Sequence, residues 1–256
     1  MATMIAAQMF TLRDFCKTPA DIAKTCGKLK AAGFDAVQAS GLGPIETKEL
    51  AKILSGEGLV CAATHEQWEK LEGQTERVAE EHHILGCKHT APGSLPPAFR
   101  TPEGYPLFAA GLTKVGRALS KLGITLSYHN HAFELEKFPK DGGKLGLDIL
   151  IEKSDPKVAN FEIDTYWIQY GGGDPATWIR KVKGRIPLLH LKDMTMRANK
   201  VTMAEVGEGN LDWKGILAAA KEAGVQWYII EQDVCERDPF ESLKISLTNL
   251  QSWGVR

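Results

Sequence analysis

The sequence predicts an α/β fold, a single (β/α)8 barrel spanning residues 1–256, and three observations predict it. Short apolar runs of strand type alternate with helix-type segments from end to end, giving eight β-then-α units in 256 residues, about the length of one such barrel. Gly33, Gly86, Gly123 and Gly224 each stand where a helix must stop just before a strand, the place a left-handed glycine closes a helix. Polar residues able to hydrogen-bond or ligate follow the apolar runs, and the strand ends of a closed barrel meet in space. A doubly wound open sheet is the competing fold. It would carry a Gly-rich phosphate loop after its first strand, and Gln8-Met9-Phe10-Thr11 is not one.

In order, Met4 to Met9 reads as a strand, Pro19 to Ala32 as a helix, Ala36 to Ala39 as a strand and Ile45 to Ser55 as a helix stopped by Gly56 and Gly58. Leu59 to Ala63 is a third strand, followed by polar helical sequence from Trp68 to Leu85. Cys87 to Ala91 is the fourth, and the Pro-rich stretch Pro92 to Pro106 makes a long loop before a helix over Leu107 to Leu122. The second half repeats the pattern with strands at Ile124 to His129, Val158 to Asp164, Pro187 to Leu191 and Trp227 to Glu231. Its helices fall near Lys144 to Lys153, Pro175 to Val182, Trp213 to Ala223 and Pro239 to Trp253. Gly171-Gly172-Gly173-Asp174-Pro175 lacks the Lys-Ser/Thr of a phosphate loop and reads as a loop in which Asp174 caps a helix with Pro175 at its first position.

Composition excludes several functions. The chain is 43% hydrophobic and 25% charged, without an apolar run long enough to cross a bilayer. A net charge of -1 supplies no basic field for a nucleic acid backbone. Cys16, Cys26, Cys61, Cys87 and Cys235 lack CxxC spacing, their number is odd, and Met1 to Phe10 has no basic segment of a signal peptide. Reduced thiols and a cytoplasmic location are therefore expected.

The strand ends carry Gln8, Gln38, His65, His89, the run His129 to Glu134, Asp164, His190 and Glu231. Glu134, Asp164, His190 and Glu231 together offer carboxylates and an imidazole, the ligands of a hard or borderline divalent cation. Within Tyr128-His129-Asn130-His131-Ala132-Phe133-Glu134, the two histidines stand two apart and share a face, with Asn130 on the other. His190-Leu191-Lys192-Asp193 places a Lys/Asp pair just beyond an imidazole, and Gly207-Glu208-Gly209-Asn210 reads as a loop over the barrel mouth with Glu208 near substrate.

These segments, with Ile163-Asp164-Thr165-Tyr166-Trp167, Leu211-Asp212-Trp213 and Ile230-Glu231, resemble the sugar phosphate isomerase/epimerase family of the xylose isomerase-like TIM barrel superfamily. The resemblance extends to Gln8–Asp14, Gly41–Ile45 and Ala91–Leu95, nearly the whole chain. It implies a Glu, Asp, His, Glu metal quartet whose two glutamates also exchange the substrate proton. Asp164, His190 and Glu231 match the last three. Glu134 is expected to replace the first, with His131 as its competitor, and Trp167 stands where the epimerases carry a substrate-binding histidine.

The expected enzyme binds manganese, magnesium or zinc and acts on a sugar or keto-sugar, with or without a phosphate, by proton abstraction α to a carbonyl. Glu134 or Glu231 would remove the proton, and Glu231 or His131 would return one. His65, Trp68, Trp167 and Lys192 would shape the pocket, with Gln8 and Asp193 also on the substrate side. The alternative reaction is dehydration or elimination on a keto-sugar, keto-glycoside or inosose. A non-catalytic sugar-binding barrel and an apurinic endonuclease rank lower, the latter because seven histidines and a charge of -1 supply neither its ligands nor its DNA-facing surface. A homo-oligomer is compatible with the sequence.

Overall fold

In the computed structural model, which describes residues 4–138 and 142–255, eight parallel strands close into a barrel. They are β1 (Met4–Gln8), β2 (Ala36–Ala39), β3 (Val60–Glu66), β4 (His89–Pro92), β5 (Thr125–His129), β6 (Ala159–Asp164), β7 (Leu188–Leu191) and β8 (Trp227–Ile230). Each pairs with its neighbours in sequence, and β8 closes on β1 with Ala6 opposite Ile229.

Local chemistry explains the helix boundaries. Thr18 and Asp21 cap the helix Pro19–Ala32 reciprocally, side chain to backbone N–H in both directions. Gly33 ends it at φ +105°, a conformation open to glycine and costly for a residue with a Cβ. Asp174 caps Pro175–Lys181 by accepting from the Thr177 N–H at 2.7 Å, as the sequence predicts.

Two apolar layers flank the strands. The larger lies between barrel and helices, while Ala6, Ala36, Ala62, Ala63, Leu188, Trp227 and Ile229, all strand residues, form a separate cluster that plugs the interior. Strand side chains alternate with period two. The interior residue after Ala6 is therefore Gln8, after Ala36 Gln38, after Leu188 His190 and after Ile229 Glu231. The interior thus changes from an apolar floor to a fully buried polar layer one step nearer the mouth.

Several boundaries differ from expectation. The first strand stops at Gln8, whose side chain accepts from the Phe10 N–H and turns the chain into a 3-10 helix, Met9–Phe15. The segment Trp68 to Leu85 divides at Gln74 into Trp68–Gly73 and Thr75–Leu85. The Pro-rich loop contains a short turn at Pro97–Phe99, and the next helix begins early, at Gly104. A helix, Thr165–Tyr170, and two hairpins, Lys137–Phe138 with Lys144–Leu145 and Asp193–Arg197 with Lys200–Ala204, carry no clear signal. The second hairpin turns through Ala198 and Asn199 at positive φ, without the glycine that marks such turns. Among the described residues, no helix is long and apolar enough to cross a membrane.

Candidate active site

The polar layer converges on His190. Its Nδ1 lies 2.8 Å from Glu231 Oε2 and 3.8 Å from Asp164 Oδ2, and its Nε2 lies 2.7 Å from Gln38 Oε1 and 3.2 Å from Glu162 Oε1. Gln38 Nε2 donates to Glu162 Oε1 at 2.8 Å, and His65 Nε2 lies 2.6 Å from Glu162 Oε2. The His129 ring stands 4.5 Å from that of His190, centroid to centroid. Burial alone would lower the His190 pKa, but the Glu162 and Glu231 charges outweigh it and raise it to about 10.

Beside this cluster Lys192, 1% exposed, places its ammonium 2.9 Å from Asp164 Oδ2, 2.8 Å from Glu231 Oε2 and 2.8 Å from Asp233 Oδ2. One cation thus serves three carboxylates. Thr165 holds the strand end in place, its hydroxyl donating to the Lys192 carbonyl at 2.8 Å. Burial would raise Glu231, but Lys192 and His190 hold its carboxyl well below the usual range. Asp164 differs, because burial outweighs Lys192 and His190 and raises it to about 6.

A cavity of about 460 Å³ opens above, lined by His65, Trp68, His129, His131, Lys192, Glu231 and Asp233 among others. His131 packs against Trp167 at 5.3 Å between centroids, and burial pulls its pKa down to about 4. Trp167, expected on the cavity wall, stands behind it, packed on His131 and 5.5 Å from the Lys192 ammonium.

Four sequence expectations need correction. Glu134, expected as ligand and base, lies in a 3-10 turn, Phe133–Leu135, that folds it back under the cavity. Its carboxylate accepts from the Tyr128 hydroxyl at 2.5 Å and from the His131 N–H at 2.9 Å, away from the His190 cluster. Asp193, expected beside substrate, faces the other way. It accepts from the backbone N–H groups of Met194, Gly207, Gly209 and Leu211 and from the Trp213 indole at 2.6 Å, so it is the anchor of the 207–213 loop. A Cβ on Gly209 would lie 2.3 Å from Asp193 Oδ1, which explains the glycine. Gln8 is buried in the polar layer, donating to Gln38 Oε1 at 2.7 Å, and Glu208 turns to Asn249 on the last helix. Conversely, Glu162, His129, Gln38 and Asp233 belong to the cluster although the sequence marks none of them as a ligand.

These corrections are testable. Glu134→Gln is expected to retain most activity and metal affinity, since Glu134 supports the loop from outside the cluster. Burial raises the Glu134 pKa from 4.5 to about 7. Its contribution to stability is therefore full at pH below the unfolded value and lost as pH rises through 7. Thermal melts should show Glu134→Gln gaining on the wild type between pH 5 and pH 8, a range bracketing that titration. Asp193→Asn should destabilise the protein by on the order of 3 kcal/mol, because an NH2 group would confront several donors and lose charge-assisted bonds. Urea unfolding measures this loss, and kcat of the folded protein should fall far less than for a change at Glu231.

Two groups of four side chains bring one ligand atom each within 4.8 Å of the others: His65, His129, Glu162 and His190, and His129, Asp164, His190 and Glu231. In the second, Asp164 Oδ2 is held by the Lys192 ammonium at 2.9 Å, while His129 Nδ1 is left without a hydrogen-bond partner among the described residues. Buried polar atoms are rarely left so, and two carboxylates with two imidazoles suit a borderline divalent ion. The donor set fits a divalent cation; its member from β5 is His129, and Glu134 belongs to neither group.

Comparison with known proteins agrees with this architecture. The inosose dehydratase of Geobacillus thermodenitrificans is 26% identical over 254 residues, covering 84% of this chain and 83% of its own length. The crystal structure of a sugar phosphate isomerase/epimerase from Parabacteroides distasonis superposes with a TM-score of 0.84 at 22% identity, over 100% of this chain and 96% of that one. A barrel protein from Mycobacterium smegmatis, solved in complex with magnesium, gives a TM-score of 0.72 at 14% identity, with 98% of each chain covered. The family described as xylose isomerase-like TIM barrel matches residues 26–250, and this chain belongs to that family.

Proposed function

We propose that the protein is a divalent-metal-dependent isomerase or epimerase that moves a proton α to the carbonyl of a sugar or keto-sugar. The observation that carries this reading is the meeting of Glu231, His131 and Lys192 on one cavity of about 460 Å³. Glu231 is held in its anionic form by Lys192 and His190, and burial keeps His131 neutral with a pKa of about 4, so both are free to accept a proton at neutral pH. Glu231 can remove the proton and return the same proton at the neighbouring carbon, and return from the opposite face requires His131 to enter the reaction as the imidazolium and be reprotonated from solvent between turnovers. The Lys192 ammonium offers a positive charge to the carbonyl oxygen as negative charge develops there. A divalent ion held by His129, Asp164, His190 and Glu231 would add Lewis-acid polarisation of that carbonyl. Trp68 and His65 supply the cavity wall against which a sugar packs.

Manganese is the ion we favour, because mixed oxygen and nitrogen ligands suit it while it tolerates carboxylate-rich sites. Scattered cysteines without paired spacing support a cytoplasmic location. The similarity to an inosose dehydratase favours a second reading, in which loss of a β-hydroxyl follows the same proton abstraction. Incubation in D2O with manganese and a panel of keto-sugars and inososes tests both. The expected result is deuterium at the α-carbon of recovered substrate or its epimer. Dehydrated product without epimer favours the second reading, and no exchange or turnover on any member opposes both.

A further inference from the structure

The polar layer under the cavity contains two fully buried side chains, Gln38 and Glu162, that offer the substrate nothing directly. We propose that Gln38 and Glu162 are positioning residues that fix the tautomer of His190, so that Nδ1 is the nitrogen offered to the divalent ion. The inference rests on the metal reading above and deepens it.

Donor and acceptor counting carries it. The Phe10 N–H donates to Gln8 Oε1 at 3.2 Å, so the Gln8 carboxamide turns its Nε2 toward Gln38, where Oε1 accepts at 2.7 Å. Gln38 Nε2 in turn donates to Glu162 Oε1 at 2.8 Å. A carboxylate has no hydrogen to give, so Glu162 holds the Gln38 carboxamide in this orientation. Gln38 Oε1 then lies 2.7 Å from His190 Nε2. An amide oxygen only accepts, and therefore His190 Nε2 carries a hydrogen. Nδ1 faces the Glu231 and Asp164 carboxylates, so with Nε2 holding its hydrogen it is Nδ1 whose proton an entering cation would displace.

The same counting separates the two candidate metal groups. The group built on Glu162 would use one of its oxygens, each already accepting from Gln38 or His65, and the lower side of His190, already donating. The group built on Asp164 and Glu231 meets His190 on its Nδ1 side and includes His129, whose Nδ1 has no hydrogen-bond partner among the described residues. Glu162 is then the outer support of a metal ligand, a role that commonly governs affinity.

Two variants test the proposal. Gln38→Met keeps the chain length and removes the acceptor for His190. Glu162→Gln supplies an NH2 group that lets the Gln38 carboxamide reverse, drawing the His190 hydrogen to Nδ1. In both, Mn²⁺ affinity measured by chelator competition should fall about 10–100-fold, with the melting temperature recorded alongside. ¹⁵N imidazole spectra of the Zn²⁺-loaded wild type should show Nε2–H for the ring whose signals vanish in His190→Gln. A purely structural role would lower the melting temperature and leave the affinity of the folded protein unchanged. If Glu162→Gln does not fold, Gln38→Met carries the test alone. Affinities within about threefold of wild type, or an Nδ1–H signal in the loaded protein, overturn this inference only. Failure of the wild type to bind Mn²⁺ overturns the metal reading and this inference with it.

Discussion

Glu231→Gln is expected to reduce turnover by about 10²–10⁴-fold, the range positioned acid–base groups commonly supply, while the barrel stays folded. Glutamine keeps the volume and an oxygen for the two groups that Glu231 touches, His190 Nδ1 and Lys192 Nζ, each at 2.8 Å. It removes one negative charge, but Asp164 and Asp233 remain beside Lys192 at 2.9 and 2.8 Å, so the ammonium keeps its counter-ions. What is lost is the anionic oxygen facing the cavity, as proton acceptor and as metal donor. Steady-state kcat, α-proton exchange and bound manganese should therefore all fall, with a melting temperature close to that of wild type. Near-normal exchange on a substrate that the wild type turns over would remove Glu231 from the mechanism.

How much of this was legible in the sequence depends on strand parity. Asp164 and His190 were readable because each follows an apolar run at the end of a barrel strand, and the barrel itself was readable from eight such runs. Glu162 was hidden between Phe161 and Ile163, where it looks like part of a hydrophobic strand. Counting back two residues from Asp164 along the interior face would have found it. The same step finds Lys192 from His190 and Asp233 from Glu231, and it rejects Asp193, which is one residue out of phase and points away into the 207–213 loop. Glu134 fails for a different reason. It lies five residues beyond the end of β5, and the turn between them returns it to Tyr128, a path that hydrophobic patterning does not encode. The hairpin through Ala198 and Asn199 escaped because positive φ falls there on non-glycine residues.

Lys192→Met should have the largest effect on stability of any single change near the site. The side chain is among the largest fully buried ones in the protein, and its ammonium is the cation shared by Asp164, Glu231 and Asp233. Methionine fills similar volume, so the packing loss is small. The electrostatic loss is not. Removing one partner of a buried ion pair costs about 3–5 kcal/mol, because the remaining charge is left uncompensated in a poorly polarisable surrounding. For a protein of this size that corresponds to a fall in Tm of roughly 10 °C. Activity should be lost as well, since no ammonium then faces the substrate oxygen. A charge-based origin makes a further demand. A divalent cation entering between Asp164 and Glu231 replaces part of the missing positive charge, so millimolar Mn²⁺ should raise the Tm of Lys192→Met by more than it raises that of wild type. Differential scanning calorimetry with and without Mn²⁺ measures both shifts. A variant that melts with the wild type in the absence of metal would show that the three carboxylates find compensation elsewhere and that Lys192 is held there for chemistry alone.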